Sequence, residues 1–217
     1  MRAFLMPLLA VAVSALSVPA SATAVIGGDT RVAFSSLISG LEAGLLGSAT
    51  LVGGAPGLTV NFNITGGDLD EALAGTIRHD GSGVSLSDGI NTLALTNFVI
   101  DTTASTIFGD VALNGAGVGT GLSLFAFDLG TVTVPQLTDL DNPLLNLTVT
   151  STAAGALTTA FGIGDTTGQS IGLAATAPQL AAGAVPEPES WALMILGFGA
   201  VGATLRQRNR AVASVTA

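Results

Sequence analysis

The 217-residue chain has no cysteine, no lysine and no tyrosine, only one histidine and one tryptophan, and only 10% charged residues. Without cysteine there is neither a disulfide framework nor a thiolate metal site. Six arginines stand against fifteen acidic residues, for a formal charge of −9, which excludes nucleic acid as a partner because a phosphate backbone demands a basic face. The missing tyrosine and the lone tryptophan remove the aromatic lining that a carbohydrate-cleaving cleft would be expected to carry. Disorder is excluded from the opposite side, since 48% of the residues are hydrophobic.

What is present concentrates first at the two ends. Met1 and Arg2 open an apolar run from Ala3 to Leu16, and small residues close it at Ala22-Thr23-Ala24. Signal peptidase accepts small side chains there, so the pattern predicts a signal peptide over residues 1–24, cleaved after Ala24, with Ala22 as the competing site. Pro7, Pro19, Ser14 and Ser17 leave too short a clean span for a membrane anchor in a bilayer of about 30 Å.

At the other end Pro186-Glu187-Pro188 precedes Trp191-Ala192, an unbroken apolar run from Leu193 to Leu205, and then Arg206, Arg208 and Arg210. The tryptophan suits a membrane interface and the arginines suit the cytoplasmic side. Trp191 to Leu205 makes only about 22 Å of helix, too short for a comfortable permanent span but workable for transient insertion. Gly199 and Ala203 would let a second helix come close. This order of motif, apolar helix and basic cluster resembles the PEP-CTERM sorting signal, in its PEPxxWA form, of exported proteins of Gram-negative bacteria. The resemblance implies recognition and cleavage by a membrane-embedded exosortase, after transient inner-membrane anchoring. It also implies delivery to the cell surface or to an extracellular polysaccharide matrix of the kind found in biofilms. Residues 186–210 form the sorting segment, and residues 211–217 are a short uncharged tail.

The body from Val25 to Gly183 carries only two cations, Arg31 and Arg78. Its dominant period is two. Leu58 to Thr65 alternates apolar and polar, and further strands are predicted at 75–79, 83–87, 91–100, 106–113, 121–127, 131–134, 145–150 and 170–176. Asp80-Gly81-Ser82, Asp88-Gly89, Asn114-Gly115 and Asp141-Asn142-Pro143 supply turns between them. Phe34, Leu37, Ile38, Leu41, Leu45 and Leu46 instead follow helical spacing, and Ala153 to Phe161, ending at Gly162, predicts a second short helix. The expected fold is mainly β, an antiparallel sandwich or open barrel with one or two short helices over residues 25–176. An Ala/Pro linker at 177–185 and the hydrophobic sorting helix follow.

The stretches Ile64-Thr65-Gly66-Gly67-Asp68-Leu69, Gly75 to Gly81, Leu93 to Asp101 and Leu147 to Thr150 resemble the HtaA domain of bacterial haem-acquisition proteins. That resemblance implies an all-β extracellular ligand-binding architecture in which a tyrosine, assisted by histidine, ligates haem iron; this chain has no tyrosine. His79 is then the one imidazole able to act as a ligand, its alternative being a turn residue between Arg78 and Asp80. Asp68 with Asp70, and Asp139 with Asp141, place carboxylates at alternate positions, a partial calcium ligand set whose alternative is turn capping. No catalytic residue and no cofactor is expected for the body. The expected function is a non-enzymatic, exosortase-processed surface or matrix protein. Its expected partners are signal peptidase, exosortase and extracellular polysaccharide or other matrix components, and the alternative is an HtaA-like haem-binding module.

Overall fold

The computed structural model describes residues 22–35, 40–55, 57–70 and 72–182. The strands are β1 (Thr23–Phe34), β2 (Glu42–Gly47), β3 (Thr50–Leu51), β4 (Thr59–Asn63), β5 (Gly66–Leu69), β6 (Gly75–Ser87), β7 (Thr92–Asp101), β8 (Thr106–Leu113), β9 (Ala116–Ala126), β10 (Leu145–Val149) and β11 (Ser170–Leu180). Among the described residues two α-helices interrupt them, α1 (Val134–Leu137) and α2 (Ser151–Phe161). All pairings are antiparallel, and each strand from β5 to β11 pairs with the next in sequence. β1 then pairs with β11 along one edge and with β5 along the other, so the sheet curls into a ring. Of the two architectures expected, the barrel is the one formed.

The ring has a seam. On one edge of β1, Thr23 and Ala24 pair with β5 while Asp29 to Ala33 pair with β4. On the matching edge of β6, Gly75 to Arg78 pair with β5 while Ser82 to Ser87 pair with β2. β5 therefore closes one end of the barrel, and β4 and β2 flank the seam towards the other. Signal cleavage after Ala22 would keep the pairs of Thr23 and Ala24, and cleavage after Ala24 would remove them.

Apolar side chains fill the interior: Val32 and Phe62 from the seam strands, Ile77 and Ile100 from β6 and β7, Ile107, Leu145 and Leu147 from β8 and β10. Strict alternation cannot run the length of β6, because Ile77 and His79 point inward and so do Val84 and Leu86. A bulge resets the parity: His79 pairs with Phe98 and Gly83 with Thr96, so three residues of β6 oppose Asn97 alone. Asn97 sits in the left-handed region at φ 52, and its side-chain oxygen accepts from the Gly81 amide at 2.9 Å. Gly83 lies against the Leu95 carbonyl, where a Cβ would collide. The predicted turn at Asp80-Gly81-Ser82 is therefore a bulge inside one continuous strand, with Ser82 donating to the His79 carbonyl at 3.0 Å.

Each end of the barrel carries a helix. α2 starts from Thr150, whose hydroxyl accepts from the Ala153 amide and donates to the Ser123 carbonyl, and it stops at left-handed Gly162. Its buried residues, Ala153, Ala154, Leu157 and Ala160, recur on one face. This is the helix predicted at 153–161. α1 occupies part of the stretch predicted as a strand at 131–134. Pro135 suits a first helical turn, and the Gln136 side chain accepts from the Thr133 amide at 2.9 Å, so the local chemistry there favours a turn over a ladder.

The helix predicted from Phe34 to Leu46 is not formed among the described residues. Phe34 ends β1, and Glu42–Gly47 is a strand on β6. Gly44 weakens a helix, and the β6 edge offers backbone partners that helical spacing could not anticipate. Residues 36–39 lie outside the described residues. The linker predicted from Ala177 also begins too early: Ala177 to Leu180 belong to β11 and pair with β1 from Asp29 back to Val25. Ala and Pro suggested an unstructured spacer, but the open edge of β1 captured them.

Candidate functional site

The interior of the barrel brings together the polar groups most worth testing for function. His79 is 1% exposed, and its Nε2 shares a 2.8 Å hydrogen bond with Thr30 Oγ1. Thr30 Oγ1 shares a second 2.8 Å bond with Thr176 Oγ1, across the β1–β11 ladder. Nδ1 has no hydrogen-bond partner. Phe62 stands edge-on to the imidazole at 6.4 Å between ring centres, and edge-on to Phe98 at 5.5 Å. Burial pushes the imidazole down to a pKa of about 4; the Phe98 backbone, Asp80 and Asp29 oppose that shift only in part. At neutral pH the ring is an uncharged member of the core. The turn-residue reading of His79 is thus corrected: the β6 bulge directly after it turns this side chain inward.

The fit of haem can be tested on this geometry. The space beside His79 measures about 40 Å³ and is walled by Phe34, Phe62, Phe98, Phe125 and aliphatic residues. A second space, towards α1, measures about 160 Å³. Pockets for drug-sized ligands run from about 300 Å³ upward, and a haem macrocycle is of that size class. His79 already uses Nε2 on Thr30, and the tyrosine that the HtaA resemblance requires is missing from the sequence. The residues present do not fit haem, and the imidazole is a core side chain.

The carboxylates proposed for calcium are committed elsewhere or stand apart. Asp68 is exposed on β5. Asp70 Oδ1 accepts from the Ala72 and Ala74 amides, both at 2.8 Å, and so holds the β5–β6 turn. Asp139 Oδ1 accepts from the Asp141 amide at 3.1 Å, and Asp141 forms a 2.7 Å ion pair with Arg31. Among the described residues no three acidic or histidine side chains gather into a metal-binding group. Turn capping is the role in which the structure places Asp70 and Asp139. Nothing local marks the Thr30–Thr176 pair, because the two residues are 146 positions apart.

Pro186, Glu187, Pro188, Trp191, Ala192, Arg206, Arg208 and Arg210 lie outside the described residues, as does the expected sorting helix. Among the described residues no helix is long and apolar enough to cross a membrane. No curated protein matches the chain significantly. The family model of the PEP-CTERM protein-sorting motif matches residues 184–209, which covers the Pro-Glu-Pro motif, the apolar run and the first two arginines of the cluster. The chain carries a PEP-CTERM sorting motif, and that motif marks an exported protein processed by exosortase and targeted to the cell surface.

Proposed function

We propose that this is a non-catalytic protein of the cell surface or extracellular matrix. Signal peptidase removes its N-terminal segment, and the sorting helix holds it briefly in the inner membrane. Exosortase then cuts near Pro186-Glu187-Pro188 and releases the β body to the surface, among exopolysaccharide or other matrix components. The observation that carries this reading is the sorting motif at residues 184–209. Two features of the body support it. Its one imidazole is sealed in the core and bonded to Thr30, so it is not available to act as a base on a substrate in solution. Apart from His79 and its hydrogen-bonded threonines the interior is mainly apolar, while Asp29, Arg31, Arg78 and Asp110 sit at intermediate or exposed positions, an arrangement suited to water and opposite to that of a barrel in a membrane.

Mass spectrometry of the protein from its native host, with and without exosortase, tests the processing. Loss of Arg206 to Ala217 only where exosortase is present is expected; an identical intact C-terminus in both strains would refute the reading. Hemin titration tests the haem-binding alternative. No saturable Soret shift that His79→Ala removes is expected, and finding one would reverse the ranking.

A further inference from the structure

Interior space is distributed unevenly along the barrel. It measures about 20 Å³ beside α2, about 40 Å³ at the level of His79, and about 160 Å³ beside α1. The neighbouring spaces share walls: Thr30, Val32, Ile100, Ile107 and Leu147 face both the middle one and the large one. We propose that the α1 end of the barrel is a binding site for one small, uncharged hydrocarbon of about benzene's size.

Size sets the upper bound. An apolar cavity of about 150 Å³ lined by Leu, Ile and Phe stays dry and takes up benzene or xenon. The space here is close to that volume and is walled mainly by Leu69, Ile77, Ile100, Phe127, Leu137 and Leu145. Polarity sets the class. Four threonines line the space, and each hydroxyl already has a partner: Thr30 and Thr176 with each other, Thr102 with the Leu73 carbonyl at 2.6 Å, Thr138 with the Val134 carbonyl at 3.1 Å. An alcohol or amide would arrive with a polar group and meet satisfied ones, at a desolvation cost. An acid fares worse. The two described cations do not line the space, Arg31 being tied to Asp141 and the Leu140 carbonyl, and Arg78 being exposed.

Access runs past α1. Val134 and Leu180 both line the space and are 56% and 43% exposed, so this wall reaches solvent. Leu73, also on the lining, holds the left-handed backbone at φ 62, a conformation that leucine rarely adopts. Thr102 fixes it there, donating to the Leu73 carbonyl and accepting from the Gly75 amide at 2.8 Å. The strained loop thus keeps an apolar side chain on the lining of an apolar space.

The test is a set of thermal and denaturant melts of the exported, processed protein with benzene, phenol or octanoate. Benzene at ten times its dissociation constant should lower the unfolding equilibrium constant about elevenfold, while phenol and octanoate at equal concentration leave it near its starting value. Ala174→Leu places extra carbons on the inward face of β11 beside Val32 and should abolish the benzene effect. No saturable effect of benzene, an equal effect in Ala174→Leu, or an equal effect of octanoate each overturns the proposal. Xenon under pressure gives a readout without substitution, should that variant not fold. Methyl shifts are expected at Leu69, Ile77, Ile100 and Leu145, and shifts centred on Leu86, Leu93 and Leu157 would overturn it.

Discussion

The two ends of the barrel share its long strands, differ in the seam strands beside them, and are closed by helices of different size. At one end α2, eleven residues long, buries three alanines and Leu157 against Leu86, Leu93, Leu95 and Leu124 and leaves about 20 Å³. At the other, α1 is a four-residue turn that buries only Leu137 and leaves about 160 Å³. Small alanines let the α2 backbone approach the strands and fill the space, whereas a single turn can only lie across an opening. The length and burial of the closing element distinguish the ends.

The largest expected effect falls at the filled end. Leu157→Ala should cost about 3 to 4 kcal/mol, because α2 is held at both ends and cannot collapse into the hole. Denaturant unfolding measures it. A loss below about 1 kcal/mol would mean that α2 is not the plug described.

The middle of the barrel gives the next effect, through pH. His79 titrates near 4 in the folded protein and near 6.5 when unfolded, so between those values the unfolded chain binds the proton and the native one does not. Stability is therefore retained above pH 6.5 and lost as pH falls towards 4, by about 3 kcal/mol in all. Comparing the protein with His79→Gln at pH 7.5, 5.5 and 4.5 isolates this contribution. Parallel pH profiles would place the imidazole outside the core.

Leu137→Ala at the loosely filled end should cost less, about 2 kcal/mol, since its side chain already borders open space and fewer contacts are forfeited. The comparison of the ends fails if this loss equals that of Leu157→Ala. The smallest effect is expected on the surface beside it. Asp141→Asn breaks the Arg31 ion pair, but the Asp141 side chain is 94% exposed, so solvent screening keeps the change below about 1 kcal/mol in a denaturant melt.

Local chemistry made much of this legible beforehand. The hairpin at Asn114-Gly115 has φ values of 51 and 80, as an Asn-Gly turn between two strands requires. At Asp88-Gly89 the aspartate accepts from the Ile90 and Asn91 amides, and these bonds hold its carboxyl below the usual carboxylate range. α2 declared itself through its alanines and Gly162. Three of the misreadings have one cause in common. β2 in place of a helix, β11 running on through Ala177 to Leu180, and the bulge in place of a turn at Asp80 to Ser82 were all decided by the neighbouring strand.

What the sequence determined by itself is the sorting motif, the β character, the turns at Asp88-Gly89 and Asn114-Gly115, and α2, each encoded in a contiguous run whose chemistry acts over a few residues. Only the tertiary structure decided that the sheet closes, that His79 is buried with Thr30 and Thr176, and that the space beside α1 remains. Those outcomes depend on β1 meeting β11, strands separated by most of the body, and on how side chains from every wall fill a common volume. Backbone pairing over that distance and close packing carry no local signature.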